Sequence, residues 1–159
     1  MKTSRTAARI AAFSLLLAAV GAQAFQLRGF RGVEWGDEAE RLGAEATVVS
    51  TDGELTCYQR ANENLLFGDV ALKAVRYCFL QDRLYSVRLD AAATAKALTT
   101  EFQRTYGRPD ARQGLNASWG RKATDSHAEL VSQGESAQLT LYPRKEATAR
   151  RAVNASAGF

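Results

Sequence analysis

The strongest constraint in the sequence is the run Lys73–Asp90, where two alternating segments flank a short polar break. Val75, Tyr77 and Phe79 alternate with Arg76, Cys78 and Leu80; after Gln81-Asp82-Arg83, Tyr85, Val87 and Leu89 alternate with Ser86 and Arg88. A period of two belongs to a strand with two unlike faces, so this run commits the chain to an antiparallel hairpin. A three-residue loop pairs Phe79 with Tyr85, Tyr77 with Val87 and Val75 with Leu89 on one face. It gathers Arg76, Cys78, Ser86 and Arg88 on the other. A two-residue loop mixes the faces, because a one-residue slip turns every side chain over. The spacing therefore predicts the odd loop, with Asp82 in the left-handed position such a turn needs.

The remaining elements follow from local signals. Ala95, Leu98, Phe102 and Tyr106 recur at helical spacing, which predicts one main helix over about 91–106, with Asp90 as N-cap, Gly107 as its stop and Pro109 preventing resumption. A shorter helix is expected over about 37–43, started by Asp37 with Glu38 and Glu40 in its first turn and ended by Gly43. Thr47–Ser50 and Leu55–Arg60 read as strands around Asp52-Gly53, a hairpin dipeptide. Ala117–Lys122, His127–Ser132 and Ala137–Tyr142 read as further strands, the last two joined near Gln133-Gly134-Glu135. Hairpins and a segregated helix, rather than alternating strand and helix, predict an α+β domain over 25–143 with an antiparallel sheet of about six strands. They exclude a Rossmann-type sheet.

Residues 1–24 read as a secretory signal. Lys2, Arg5 and Arg9 form the charged start, Ile10–Val20 is apolar apart from Ser14, and Ala22-Gln23-Ala24 offers small residues at the cleavage positions. The apolar run is shorter than the roughly 20 residues a membrane span needs. Cleavage is expected after Ala24, which places the protein in the periplasm or outside the cell. Phe25 and Gln26 follow the cut, so no thiol stands where a lipid anchor needs one. The formal charge of +4 then divides. Without residues 1–24 the chain has 18 basic and 17 acidic residues, and the segment 144–159 carries four of the basic ones. That segment is rich in Ala, Arg and Ser with no sustained apolar face, and reads as a disordered basic tail. The domain itself is close to neutral, which argues against a nucleic-acid binder. Contact of the tail with a membrane surface is expected to be weak at most.

Cys57 and Cys78 are the only cysteines. An even count in an exported chain predicts a disulfide, worth about 3 kcal/mol for a loop of this length in the chain-entropy account. One histidine and two cysteines cannot complete a structural zinc site, and no metal or other cofactor is expected.

The run Phe30-Arg31-Gly32-Val33-Glu34-Trp35-Gly36 followed by an acidic segment resembles the opening of small exported bacterial proteins of unknown function, which share an aromatic-x-Gly-x-x-Trp-Gly pattern. The Tyr77-x-Phe79 and Leu84–Leu89 strands, Tyr106-Gly107-Arg108-Pro109 and Trp119 extend the likeness over most of 30–142. More distantly, the helix closed by a Gly-x-Pro turn and followed by antiparallel strands is similar to the small lipoprotein of the outer-membrane β-barrel assembly machine. It is also similar to the repeat of β-lactamase inhibitor proteins. The resemblance implies a protein-binding role on an α+β scaffold and assigns no functional residue.

No catalytic constellation stands out. Asp125-Ser126-His127 has the residue types of a hydrolase triad, but a triad needs side chains converging from separate segments, and no G-x-S-x-G elbow occurs. His127 is expected at a strand start, partly exposed. There is no phosphate-binding glycine loop. Trp35 and Trp119 read first as core anchors. Arg76, Arg83, Arg88 and Trp35 form the candidate ligand or partner face, with Arg76 and Arg88 as cross-strand neighbours. Glu54 would answer them inside the protein; a lipid head group or a partner carboxylate would answer them from outside. The expected function is a non-enzymatic accessory or binding protein of the cell envelope, acting on another envelope protein through a sheet face or edge strand. The alternatives are an inhibitor or immunity protein directed at a hydrolase, and an enzyme whose carboxylates converge only on folding.

Overall fold

The computed structural model describes residues 25–121 and 125–145. The expected signal segment 1–24 and residues 146–159 of the expected tail lie outside the described residues. In chain order the elements are β1 (Gly29–Phe30), β2 (Val33–Glu34), a 3-10 turn (Ala39–Leu42), β3 (Ala46–Asp52), β4 (Leu55–Arg60), β5 (Leu66–Phe67), β6 (Val70–Leu80), β7 (Arg83–Ala91), α1 (Ala95–Tyr106), β8 (Ala111–Gln113), β9 (Asn116–Trp119), β10 (Ser126–Gln133) and β11 (Ser136–Pro143). Strands β3 to β11 make one antiparallel sheet in the order β3-β4-β6-β7-β11-β10-β9-β8, with β5 paired to β6 off that path. β1 and β2 form a separate two-stranded ribbon.

The class is α+β, and two details of the expectation are corrected. The sheet has nine strands rather than six, and the short helix expected over 37–43 is a four-residue 3-10 turn. Asp37 does not cap it. Its carboxylate accepts from the Glu34 N–H at 2.9 Å, and its carbonyl accepts from the Leu84 N–H at 2.8 Å. Those bonds fasten the segment to β7 at the position where a longer helix would have to leave it.

One face of the sheet carries the core. Val75, Tyr77 and Phe79 of β6, Val87 and Leu89 of β7, Leu139 and Leu141 of β11 and Leu130 of β10 are all buried. α1 covers this face with Ala95, Leu98 and Phe102, and Phe25, Leu27, Phe30, Val33 and Leu42 close it from the N-terminal side. Trp119 is fully buried here, with its indole N–H donating to the Gly107 carbonyl at 2.9 Å. α1 begins at Ala95, four residues later than expected, because β7 continues to Ala91. The Thr94 hydroxyl, not Asp90, accepts from the Ala97 N–H as N-cap. Gly107 ends the helix as expected, with φ +83 and its N–H on the Gln103 carbonyl.

The central hairpin departs from expectation in its turn and keeps it in its register. Val75 pairs with Leu89, Tyr77 with Val87, Cys78 with Ser86 and Arg76 with Arg88. The loop, however, is the two-residue turn Gln81-Asp82, with φ +49 and +59, so Leu80 pairs with Arg83 and Phe79 with Leu84. A register shift between Cys78 and Phe79 absorbs Tyr85 as the extra residue. One bulge reverses the face change that the shorter turn imposes, which restores the alternation beyond it. The tight turn matches the strand twist better than a three-residue loop.

Gly68, between β5 and β6, has φ +58, and a β-carbon there would fall 2.3 Å from Glu101 Cδ. Glu101 is buried on α1 and ion-paired with Arg104, which restricts its room to move. Gly53 has the same φ with open space around it. Gly53→Ala is expected to lose about 1–2 kcal/mol for the left-handed backbone alone. Gly68→Ala should lose more, and the difference between their urea midpoints reads the Glu101 contact. Equal losses would show that Glu101 yields freely.

Candidate functional site

The outer face of the sheet holds one part of the candidate site. The ladder sets Arg76 opposite Arg88, and Arg88 opposite Thr140 of β11. Alternation adds Cys78 and Ser86 to the same face. Cys57 of β4 pairs directly with Cys78 and the two form a disulfide across the strands, so β4 and β6 are fixed beneath this surface.

The acid that answers Arg76 is Asp90, not Glu54. Arg76 Nη2 lies 2.5 Å from Asp90 Oδ2, and Gln138 Nε2 donates to Asp90 Oδ1 at 2.7 Å. Glu54 instead accepts from the Gln81 side chain at 2.9 Å. Arg88 has no ion pair or hydrogen bond among the described residues, and its Nε is buried without a partner.

Arg83 and Trp35 lie elsewhere, together. They line a groove of about 700 Å3 at the turn end of β6 and β7, with Leu80, Tyr85 and Lys145. The Trp35 indole N–H donates to the Leu27 carbonyl at 2.6 Å, which fixes the ring. Arg83 pairs with Glu38 at 2.9 Å and donates to the Gly36 carbonyl at 3.3 Å. The four arginine and tryptophan candidates thus fall into two pairs, one on the open sheet face and one in a groove at the sheet's end.

A third surface was legible only as a possibility. β3 is the outermost strand on its side of the sheet. From Thr47 onward it is exposed throughout, with Val48 at 57% and Val49 at 42% exposure. Its run Thr47-Val48-Val49-Ser50-Thr51 is rich in β-branched residues and lacks lysine, proline and glycine. The turn after it sits beside the β6–β7 turn, where the Gln81 N–H donates to the Glu54 carbonyl at 3.4 Å. Two exposed turns thereby form one corner, with the disulfide behind it.

His127 is buried at 1% exposure rather than partly exposed. Its Nε2 lies 3.3 Å from Glu129 Oε1, and its ring packs on Tyr142. Ser126 precedes it in the same strand and points to the core face, where its hydroxyl accepts from the Leu27 N–H at 2.7 Å. Strand alternation sends the two side chains to opposite faces, so they cannot work on one substrate. Glu38, Glu40 and Asp82 bring carboxylates within 4.8 Å of one another, all exposed. Glu38 is held by Arg83, and Asp82 accepts from the Ala39 N–H, so two of the three serve the turn that joins this segment to β7.

A buried polar cluster escaped sequence reasoning altogether. The Glu63 carboxylate accepts from Arg31 Nη1 at 2.6 Å and from the Tyr77 hydroxyl at 2.8 Å. Burial, and then the bond and charge of Glu63, push the Tyr77 phenol above its ordinary range. The Glu63 carboxylate thus joins Arg31 to Tyr77, and the cluster ties the loop after β4 to the β1–β2 ribbon. Among the described residues no helix is long and apolar enough to cross a membrane. Compared with protein-family models, curated proteins and solved structures, the chain shows no significant match.

Proposed function

We propose that the protein is a non-enzymatic binding module of the bacterial cell envelope, exported after cleavage behind Ala24, which takes a segment of another envelope protein as an added strand on β3. The observation that carries this reading is β3 itself. Terminal strands are normally blunted by lysine, proline, short length or cover. β3 runs for seven residues, with two exposed valines and none of those residue types. Its blunting features are the shift at Val49 and the exposed charge of Asp52 at its far end. An extended peptide laid along such an edge gains main-chain hydrogen bonds, and side chains at alternate positions supply specificity.

The test is a photo-cross-linking residue placed at Val48 in the native host, with Leu115, exposed near the opposite edge, as control. A discrete adduct is expected from Val48 alone. It should fall at least tenfold when Val49→Lys puts a charge on the edge. No adduct at Val48, or one that survives Val49→Lys unchanged, would remove the basis of the reading.

The inhibitor alternative has its own support. The corner formed by the β3–β4 and β6–β7 turns is exposed, braced by the Gln81–Glu54 bonds and backed by the Cys57–Cys78 disulfide. Rigid exposed turns are suited to filling a hydrolase cleft, because little freedom is lost on binding. Cross-links from Asp82 rather than Val48 would favour it.

A further inference from the structure

The edge strand β3 is flanked by charge of one sign only. Between Gly43 and Gln59 the sequence holds Glu45, Asp52 and Glu54 and no lysine, arginine or histidine. Glu45 directly precedes β3, Asp52 is its last residue and Glu54 stands just before β4. All three are exposed. Glu45 accepts from the Asn62 side-chain amide at 2.8 Å and Glu54 from that of Gln81 at 2.9 Å, neutral partners that leave each charge uncancelled. The ion pairs among the described residues all use other acids. Cations on the adjoining segments are engaged elsewhere. Arg60 stands opposite Ala46 on β4, but its guanidinium lies over the Tyr77 ring and donates to the Arg31 carbonyl. Arg83, beside the β6–β7 turn, pairs with Glu38, and Arg41 pairs with Asp37. Asp82, exposed in that same turn, adds a further negative charge.

Like charges set opposite one another across two strands oppose their pairing, and opposite charges favour it. Two copies of β3 paired antiparallel with Glu45 opposite Asp52 repeat that clash at both ends, because the contact is two-fold symmetric. A parallel pair in register sets each acid beside its own copy. Charge therefore guards this edge against its own kind without closing its main-chain groups to another strand. Glu45 and Asp52 are seven positions apart along β3, and β4 spans Ala46–Asp52 with one residue fewer because Val49 is bulged. Val48 pairs with Tyr58, which packs against the core, so a side chain added beside Val48 meets an apolar flank. We infer that the strand added at β3 is a cationic one, with lysine or arginine six or seven positions apart and an apolar β-branched residue between them, supplied by a different protein. The inference rests on strand addition at β3 and assigns the charge of the added strand.

Two blocked octapeptides test this on the 15N-labelled protein. Both alternate threonine and valine; one carries lysine at its two ends and the other glutamate. The backbone amides of β3 report binding through saturable shifts and slowed hydrogen exchange. Half-saturation by the lysine peptide is expected at about tenfold lower concentration than by the glutamate peptide, the scale of two opposite-charge against two like-charge cross-strand pairs. That ratio should shrink in 0.5 M sodium chloride, since exposed charges are screened. It should also shrink in Glu45→Gln with Asp52→Asn, two surface changes whose circular dichroism checks that the fold persists. Equal half-saturation by the two peptides overturns the charge assignment and leaves strand addition standing. No response of β3 to the lysine peptide also overturns the inference, and strand addition is then decided by the Val48 adduct alone. Two further results would replace the partner. A dimer in sedimentation velocity that Val49→Lys disperses identifies a second copy on the edge. Slow exchange of β3 in the free protein, lost in Arg150→Gln with Arg151→Gln, identifies the chain's own C-terminal segment.

Discussion

Phe102→Ala should lower the stability of the domain by about 3–5 kcal/mol, the range for removing a buried aromatic ring. Phe102 has no exposed surface and is the ring on which four others meet. Tyr106 and Trp119 lie 4.6 Å from it by centroid, Phe25 lies 5.7 Å away and Phe67 5.8 Å. Those rings come from the N-terminal lead, from β5, from α1 itself and from β9. Flat rings anchored on separate segments cannot close the void together, because each is held by its own backbone. Trp119 is further pinned through its indole N–H to Gly107. Phe102→Leu keeps most of the volume and should lose about 1–2 kcal/mol, in line with other volume-conserving core changes. Urea unfolding followed by tryptophan fluorescence measures both. A loss under 1.5 kcal/mol for the alanine variant would mean that the helix is not held to the sheet through this ring.

That ring was legible in the sequence, and the reason is periodicity. Ala95, Leu98, Phe102 and Tyr106 repeat at helical spacing, and the β6–β7 alternation set the faces on which Arg76 and Arg88 had to meet. A single contiguous pattern contains its own check, since a wrong register would expose every apolar residue. What escaped the sequence had no such pattern. β1, β2, β5 and β8 are two or three residues long, too short for a period of two to show. Asp90 carries a residue type that suits both a cap and a strand ion pair, and only the pairing of β7 with β11 decides for Asp90 as the partner of Arg76 and Gln138. The hairpin turn was misjudged because the sequence offered no sign that Tyr85 would be absorbed in a bulge. The groove under Trp35 and Arg83 joins residues 48 positions apart, and the Arg31–Glu63–Tyr77 cluster joins three distant segments. Contacts of that kind depend on the assembled sheet and leave no local trace.

Glu63→Ala is the second large effect, about 3–5 kcal/mol, the scale for removing one member of a buried ion pair and stranding the other. The Glu63 side chain is 7% exposed and that of its partner Arg31 23%. Arg31, with φ +49, also donates to the carbonyls of Asn64 and Leu66 and lies over the Phe30 ring. Arg60 donates to the Arg31 carbonyl and covers the Tyr77 ring. Without Glu63 the Tyr77 hydroxyl loses its acceptor inside this packing and the Arg31 guanidinium loses its counter-charge, while its bonds to the Asn64 and Leu66 carbonyls remain. Glu63→Gln retains an acceptor oxygen and should lose less than half as much. The same cluster gives a pH signature. Burial holds the Tyr77 proton first, and Glu63 reinforces it, so the folded phenol ionises at higher pH than the free value near 10. Below pH 10 both folded and unfolded chains keep that proton, and stability does not depend on it. Above pH 10 the unfolded chain releases it while the folded chain retains it, so stability falls as pH rises. Tyr77→Phe removes this part of the slope between pH 9.5 and 11, at a constant loss at neutral pH from the broken hydrogen bond. Some alkaline slope should persist, because burial also raises Tyr106. Urea midpoints across that range measure the difference. An identical slope in wild type and Tyr77→Phe would show that the Tyr77 proton is not held by the fold, and with it the claim that Glu63 organises the cluster would fall.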